Sequence, residues 1–396
     1  MQRIVIDKPY VPVPPYRGRA WARVLAWYMP RLLHKKFGVA RIDCLHADRL
    51  AGSIAAGHGV ILAPNHCRDE DALVLGSLSR AVGRPFFIMA SWHVFMQDRL
   101  QAFLLRRGGA FSVYREGIDR GAVNTAVEIL HTAERPLVIF PEGMISRAND
   151  RINPLLDGTA LIARTAAKKR AKDNPPGKVV VHPLAVRYRL QGDIEASATK
   201  LLDEIETRLT WRKQSQLPLL ERVRKVAWAL LTLKEQEYLN EAQTGDAAGR
   251  LARLQNAILE PLENEWTGGR HDQDAAARVK RLRAAIVPDL ASGELSEAER
   301  QRRWRHLEDA YLVMQLWNYP PDYVADNPTP ERIMETIERF EEDLTDKCRV
   351  HGELHATLTV GTAIEVATGR ESRDAADPLM VEIESQLAGM LGLKAE

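Results

Sequence analysis

The chain has 396 residues, 45% of them hydrophobic, and a formal net charge of +2. That is enough for one large domain or two ordinary ones, with a sizeable core. So small a net charge makes no global case for nucleic acid, and no such partner is expected. Three cysteines, Cys44, Cys67 and Cys348, are odd in number and far apart. They form neither a metal spacing nor a disulfide framework, which suits a reducing cytoplasm; no metal and no cofactor are expected. No run reaches the roughly 18 apolar residues of a spanning helix. The start, Met1-Gln2-Arg3-Ile4 and then prolines, does not read as a signal peptide.

Residues 1–19, with Pro9, Pro12, Pro14 and Pro15, read as an extended arm. Trp21, Val24, Leu25, Tyr28 and Leu32 then recur at helical spacing, and Pro30 is expected to kink or interrupt that helix. Arg19, Arg23, Arg31, Lys35 and Lys36 accompany the stripe, and Asp7 is the only acid before Asp43. Such a segment suits an anionic membrane interface or a helix packed on its own domain.

Strands are expected at 39–45, at 60–64, at 86–90 and at 136–140. A fifth follows at 179–186, and helices at about 71–78, 120–133 and 155–172 lie between strands. The aromatic segment from Trp92 to Leu105 reads by default as core, with contact to a lipid chain as the alternative. Alternation of this kind argues for an α/β core with a partly parallel sheet. Sites in such sheets gather at the carboxyl ends of strands, where His66, Arg115 and Glu142 all fall.

His66 and Asp71 have four residues between them, just past the break at Pro64. On one continuous helix they would point about 140° apart. They can meet only if His66 precedes the helix and Asp71 sits in its first turn. A histidine held by a carboxylate has a fixed tautomer and a stabilised imidazolium, as a general base needs. The alternative is a capping acid beside a solvated turn.

From 193 to about 347 the period changes. The chain becomes charged and helical, with helices near 194–213, 219–241, 247–266, 272–286, 296–317 and 330–347. Pro218, Gly245, Gly268-Gly269, Pro288 with Gly293, and Pro320-Pro321 mark the breaks. No internal repeat stands out. A strand pattern returns at 354–366, and a last amphipathic helix carries Val381, Ile383, Leu387 and Leu391.

Four ordered blocks resemble the glycerolipid acyltransferases typified by 1-acylglycerol-3-phosphate acyltransferase. They are Asn65-His66 with Asp71; Gly109, Phe111 and Arg115; Phe140-Pro141-Glu142-Gly143; and Val181-His182-Pro183. The resemblance covers about 20–190 and resumes at 358–366, where Ala363 stands at a usual proline. It implies a mixed, partly parallel sheet flanked by helices, built from 20–192 and 351–396, with 193–350 as a large all-helical insertion.

The implied reaction moves a fatty acyl group from an acyl thioester, acyl-CoA or acyl carrier protein, to a hydroxyl of a lysophospholipid or glycerol phosphate. His66 would be the base and Asp71 its orienter. Asn65, Gly109, Phe111, Arg115, Glu142, Gly143 and Arg147 would form the substrate site, with the arginines on an acceptor phosphate. The family often continues Glu-Gly with Thr-Arg-Ser; here the residues are Met144-Ile145-Ser146-Arg147. Ile145 thus replaces the usual arginine, leaving Arg147 as its substitute or an acceptor without phosphate. The resemblance further implies phospholipid biosynthesis by a peripheral protein on the cytoplasmic face of a membrane. Two rivals are a cysteine hydrolase using Cys67 beside His66, and a non-catalytic membrane or protein adaptor on the same fold.

Overall fold

The computed structural model describes residues 8–272, 274–347, 349–369 and 376–393. Cys348 and residues 1–7 of the expected arm lie outside them. The chain divides into two compact units. A mixed α/β unit takes Val11–Gly192 and Val350–Glu396, and a helical unit takes Met1–Tyr10 and Asp193–Arg349.

The mixed unit opens on α1 (Ala20–Phe37), β1 (Val39–Leu45) and α2 (Ala47–Ala55). Next come β2 (Gly59–Pro64), α3 (Asp71–Ala81), β3 (Phe87–Ser91), α4 (His93–Met96), α5 (Arg99–Gly108) and β4 (Ala110–Val113). The first segment closes with α6 (Arg120–Thr132), β5 (Leu137–Val138), α7 (Gly158–Arg170) and β6 (Val179–Leu190). The helical unit holds α8 (Ile194–Thr210), α9 (Leu219–Leu239), α10 (Ala247–Trp266), α11 (Ala275–Ser292), α12 (Glu297–Trp317), α13 (Asp322–Ala325) and α14 (Pro330–Thr345). The chain then returns to the mixed unit with β7 (Leu354–Val360), β8 (Ile364–Glu365) and α15 (Pro378–Leu391).

The eight strands form one sheet in the order β1-β7-β6-β2-β5-β3-β4, with β8 also on β6. All pairs are parallel except β6 with β7 and with β8. The expected mixed, partly parallel sheet is therefore present. Its central strand β2 is buried along its whole length, because both faces are covered. Ile61 and Ala63 join Ala126, Ile129, Ala163 and Ile383 on one side. Val60 and Leu62 join Leu33, Leu50, Val74 and Leu78 on the other. Helices α6, α7 and α15 thus cover one face, and α1, α2 and α3 the opposite face.

Several local expectations are corrected. Helix α1 runs unbroken through Pro30, and α11 runs through Pro288 to Ser292. Buried Leu33 in the first and Leu290 in the second carry the apolar face past each proline. Packing there outweighs the lost hydrogen bond. Of the stripe read on α1, Trp21, Val24 and Tyr28 are exposed and Leu25 and Leu32 half-buried, while Ala22 and Leu33 are the buried residues. From Val11 the supposed arm belongs to the mixed unit, and Val13 exchanges hydrogen bonds with Ser112 of β4. Helix α2 is an element the sequence reading missed.

The helical unit contains a repeat. Arg222, Arg250 and Arg278 lie 28 residues apart, each near the start of a helix. Each donates two hydrogen bonds to a carboxylate near the end of the preceding helix, at 3.0 and 2.8 Å to Glu206, 2.7 and 2.6 Å to Glu235, and 2.8 and 2.7 Å to Glu263. All six side chains are nearly fully buried. Asp246-Ala-Ala-Gly-Arg250 and Asp274-Ala-Ala-Ala-Arg278 repeat the local sequence, and each aspartate caps its helix. Planar two-point pairs of this kind specify which helix ends meet.

At the other end of the connection, β6 and β7 form an antiparallel pair that starts at Leu190 opposite Leu354. The Gln191 N–H donates to the Glu353 carbonyl at 2.7 Å. The 193–349 segment lies in sequence between these two strands.

Candidate active site

Strands β2, β5, β3 and β4 are mutually parallel, so their carboxyl ends share one edge of the sheet. His66 follows β2, Arg115 follows β4 and Glu142 follows β5 at that edge. Strand β6, parallel to β2, continues beyond it; Leu184 pairs with Pro64, and Val186 and Tyr188 run on beside the His66 loop.

Helix α3 begins at Asp71 and His66 lies in the loop before it, as the spacing requires. The two side chains meet at 2.8 Å, Nδ1 to Oδ2. Asp71 is completely buried, and its carboxylate accepts from the Cys67 thiol at 3.7 Å and from four N–H and O–H donors. Besides His66 these are the N–H groups of Cys67 at 2.7 Å and Arg68 at 2.9 Å, and the Tyr188 hydroxyl at 2.8 Å. A buried carboxylate needs such partners. With Nδ1–H donating to Asp71, Nε2 is the ring's acceptor, and among the described residues no hydrogen bond reaches it. The His66 side chain stays 18% exposed and stacks on Phe140, with ring centroids 4.1 Å apart.

Glu142 holds the same loop from behind. Its carboxylate accepts from the N–H of His66 at 2.7 Å and of Asn153 at 2.8 Å. Burial pushes this carboxyl up to about 8, against the pull of those two donors. Burial likewise pushes Glu70 up to about 7, with Arg68 pulling the other way. Burial, with the charges of Asp71 and Glu70, holds the Tyr188 hydroxyl well above the ordinary tyrosine range. It therefore stays a donor.

The other sequence candidates divide into two groups. Asn65 is fully buried, and its amide is spent on β6: it donates to the Val186 carbonyl at 3.0 Å and accepts from the Val186 N–H at 2.7 Å. It clamps the loop to β6. Phe111 is 1% exposed and belongs to the core. Gly109 has φ +109°, and a Cβ there would lie 2.5 Å from the Phe86 carbonyl, so only glycine fits. These three are architectural.

Arg115, Gly143 and Arg147 stay at the rim. Gly143 has φ +68°, and a side chain there would meet Leu156. The exposed Arg115 guanidinium lies 3.8 Å from where that side chain would begin. Arg147, with φ +54°, follows Ser146, whose N–H donates to the His66 carbonyl at 2.7 Å. Cys67 is 1% exposed, with its thiol against Asp71 and the Val186 carbonyl, which places it away from any substrate.

Sequence reading missed Tyr188 and Asn149. Asn149 accepts from the Tyr188 N–H at 2.7 Å and so secures the strand that carries the hydroxyl. The loop also limits the chemistry. The N–H groups of His66, Cys67 and Arg68 are all committed to carboxylates, so donors for an oxyanion must come from elsewhere.

The site is therefore a partly exposed histidine, backed by a buried aspartate, at the carboxyl edge of the parallel strands of a mixed sheet. Residues 48–187 match the family model described as Acyltransferase, a match that supports acyltransferase activity in general. No curated protein matches the chain.

Proposed function

We propose that the protein transfers a fatty acyl group from an acyl thioester to a hydroxyl of a lysophospholipid or glycerol phosphate acceptor, as a step of phospholipid biosynthesis. The observation that carries this reading is the His66–Asp71 contact of 2.8 Å, which leaves Nε2 to receive a proton. The acceptor oxygen forms a bond to the thioester carbonyl carbon while its proton passes to Nε2. Asp71 stabilises the imidazolium. Collapse of the tetrahedral intermediate breaks the carbon–sulfur bond, and the departing thiolate takes the proton back. No side-chain nucleophile is needed, because the acceptor oxygen is the nucleophile. Arg115, with Arg147 beside the His66 loop, supplies the charge for an acceptor phosphate.

A second acceptor class is favoured by one observation. Ile145 occupies the motif position where the related enzymes place an arginine, which suits an acceptor without phosphate. The test offers purified protein acyl-CoA or acylated carrier protein with a panel of lysophosphatidate, other lysophospholipids and monoacylglycerol, and follows thiol release and lipid product. Product on a phosphorylated acceptor supports the first reading. Product on monoacylglycerol alone selects the second. No turnover with any pair, from a folded protein, would leave a non-catalytic adaptor.

A further inference from the structure

The geometry points to a membrane-docking face formed jointly by α1 and the α4–α5 segment, with an anionic lipid surface as its partner. It rests on the acyltransferase reading only in that the proposed substrates are lipids. The sequence left α1 between a lipid contact and packing on its own domain, and read Trp92–Leu105 by default as core with a lipid contact as the alternative. The structure divides that second segment. Trp92 and Phe95 are buried, whereas Met96, Leu100 and Phe103 are exposed at 38, 64 and 41%.

These residues join the outward face of α1. Trp21 meets Phe103 edge-to-face with centroids 5.4 Å apart, so the two exposed surfaces are continuous. Trp27 is 65% exposed and Val24 is 55% exposed. Helix α1 also has an inward face, so its outward residues are not a core left unpacked. Leu33 of α1 lies in the core on one side of the sheet, and Phe95 of α4 is buried.

Charge decides among possible occupants. Neither α1 nor α5 contains an aspartate or glutamate. Arg23, Arg31, Lys35 and Lys36 are exposed on the first, and Arg99 and Arg106 on the second, with the Arg107 guanidinium over the Phe103 ring. A second copy of this surface would set like charges against each other. An anionic bilayer matches both features, taking the aromatic and leucine side chains at the headgroup boundary and the cations at the phosphates. The topology also places this face beside the site. Helix α4 follows the carboxyl end of β3 directly, and that edge is the one from which the His66 loop leaves.

The experiment is co-sedimentation of the full chain with vesicles of phosphatidylcholine alone or with an equal part of phosphatidylglycerol, at low and high salt. The wild type should sediment with the anionic vesicles and weaken as salt rises. Arg23→Glu combined with Arg31→Glu and Arg99→Glu should weaken binding at least about 10-fold. Trp27→Ser with Leu100→Ser should also release it, with an unchanged circular dichroism spectrum. Because either variant could misfold, a second measurement uses conservative chemistry. Brominated lipid should quench wild-type tryptophan fluorescence, and Trp27→Phe should remove part of that quenching.

Failure of the wild type to bind anionic vesicles would overturn the proposal. So would folded variants that bind like the wild type, or a dimer dissociated by Trp27→Ser with Leu100→Ser in a protein that ignores vesicles. Sedimentation needs no turnover, so its outcome stands apart from that of the acyl-transfer assay.

Discussion

The Tyr188 hydroxyl donates to Oδ1 of Asp71 at 2.8 Å, while His66 Nδ1 meets Oδ2 at the same distance. The two residues approach one carboxylate from different strands, β6 and the loop after β2. Tyr188 is thus a positioning residue for His66, acting through Asp71. Tyr188→Phe leaves the buried Oδ1 one donor short, which costs about 1–3 kcal/mol of stability. We expect kcat to fall while both substrate KM values stay close to wild type. A denaturant titration and steady-state kinetics on the same sample check this, and unchanged kcat would remove Tyr188 from the relay.

His66→Ala should lower kcat by at least about 100-fold, the low end for a positioned general base. Asp71→Asn should be nearly as severe, because its amide nitrogen would face the backbone donors of Cys67 and Arg68 or the imidazole. Both variants need a circular dichroism control. Near-normal turnover by folded His66→Ala would defeat the proposed mechanism.

Arg115 and Arg147 make separable predictions. If the exposed Arg115 guanidinium holds an acceptor phosphate, Arg115→Ala raises the acceptor KM about 10-fold or more and leaves the thioester KM alone. Arg147→Ala behaves likewise if it replaces the arginine missing at position 145. Equal rises for both substrates would take phosphate binding away from the residue concerned.

Glu142 and Glu70 give a pH dependence with a definite sign. Burial raises both carboxyls, to about 8 and about 7, above the ordinary glutamate value. Between about pH 5 and pH 8 the folded chain holds protons that the unfolded chain has released. Stability therefore falls as pH rises through that window and is restored on acidification. Glu70→Gln should flatten part of the slope, read as Tm at pH 5, 6, 7 and 8. A wild-type Tm that rises across the window would contradict the assignment.

The buried arginine pairs of the helical unit predict an asymmetry. Arg250→Leu leaves Glu235 buried without its charge partner and should cost about 3–5 kcal/mol, whereas Arg250→Leu with Glu235→Leu should recover most of the loss. Denaturant unfolding followed on the helical signal distinguishes these. Equal losses in the two variants would mean that the charge is not what is stranded.

The sheet and the reactive pair were legible because their signals are local. Apolar runs marked the strands, and five-residue spacing across the break at Pro64 required the turn that the structure contains. Asp71's other support was not legible, since Tyr188 is 117 residues away and its hydroxyl is identified only once β6 pairs with β2. Asn65 and Phe111 carry contacts that the motif alone does not give. A motif position near a site reads as ligand contact, yet both side chains are used to build the loop and core. The 28-residue repeat escaped because few identities recur, and the equivalence rests on which glutamate each arginine reaches across the helix–helix turn.

The hydrogen bond from Gln191 to Glu353 has a consequence for how this chain tolerates change. It pins together the two points between which residues 193–349 depart and return. Closing a loop costs entropy that grows only with the logarithm of its length, so this gate charges nearly the same toll for a long guest as for a short one. The strand pair needs a turn there and is indifferent to its contents. A short glycine-containing hairpin grafted between Gly192 and Val350 should therefore leave the eight-stranded sheet able to form, and evolution could lengthen, shorten or exchange the guest without redesigning its host.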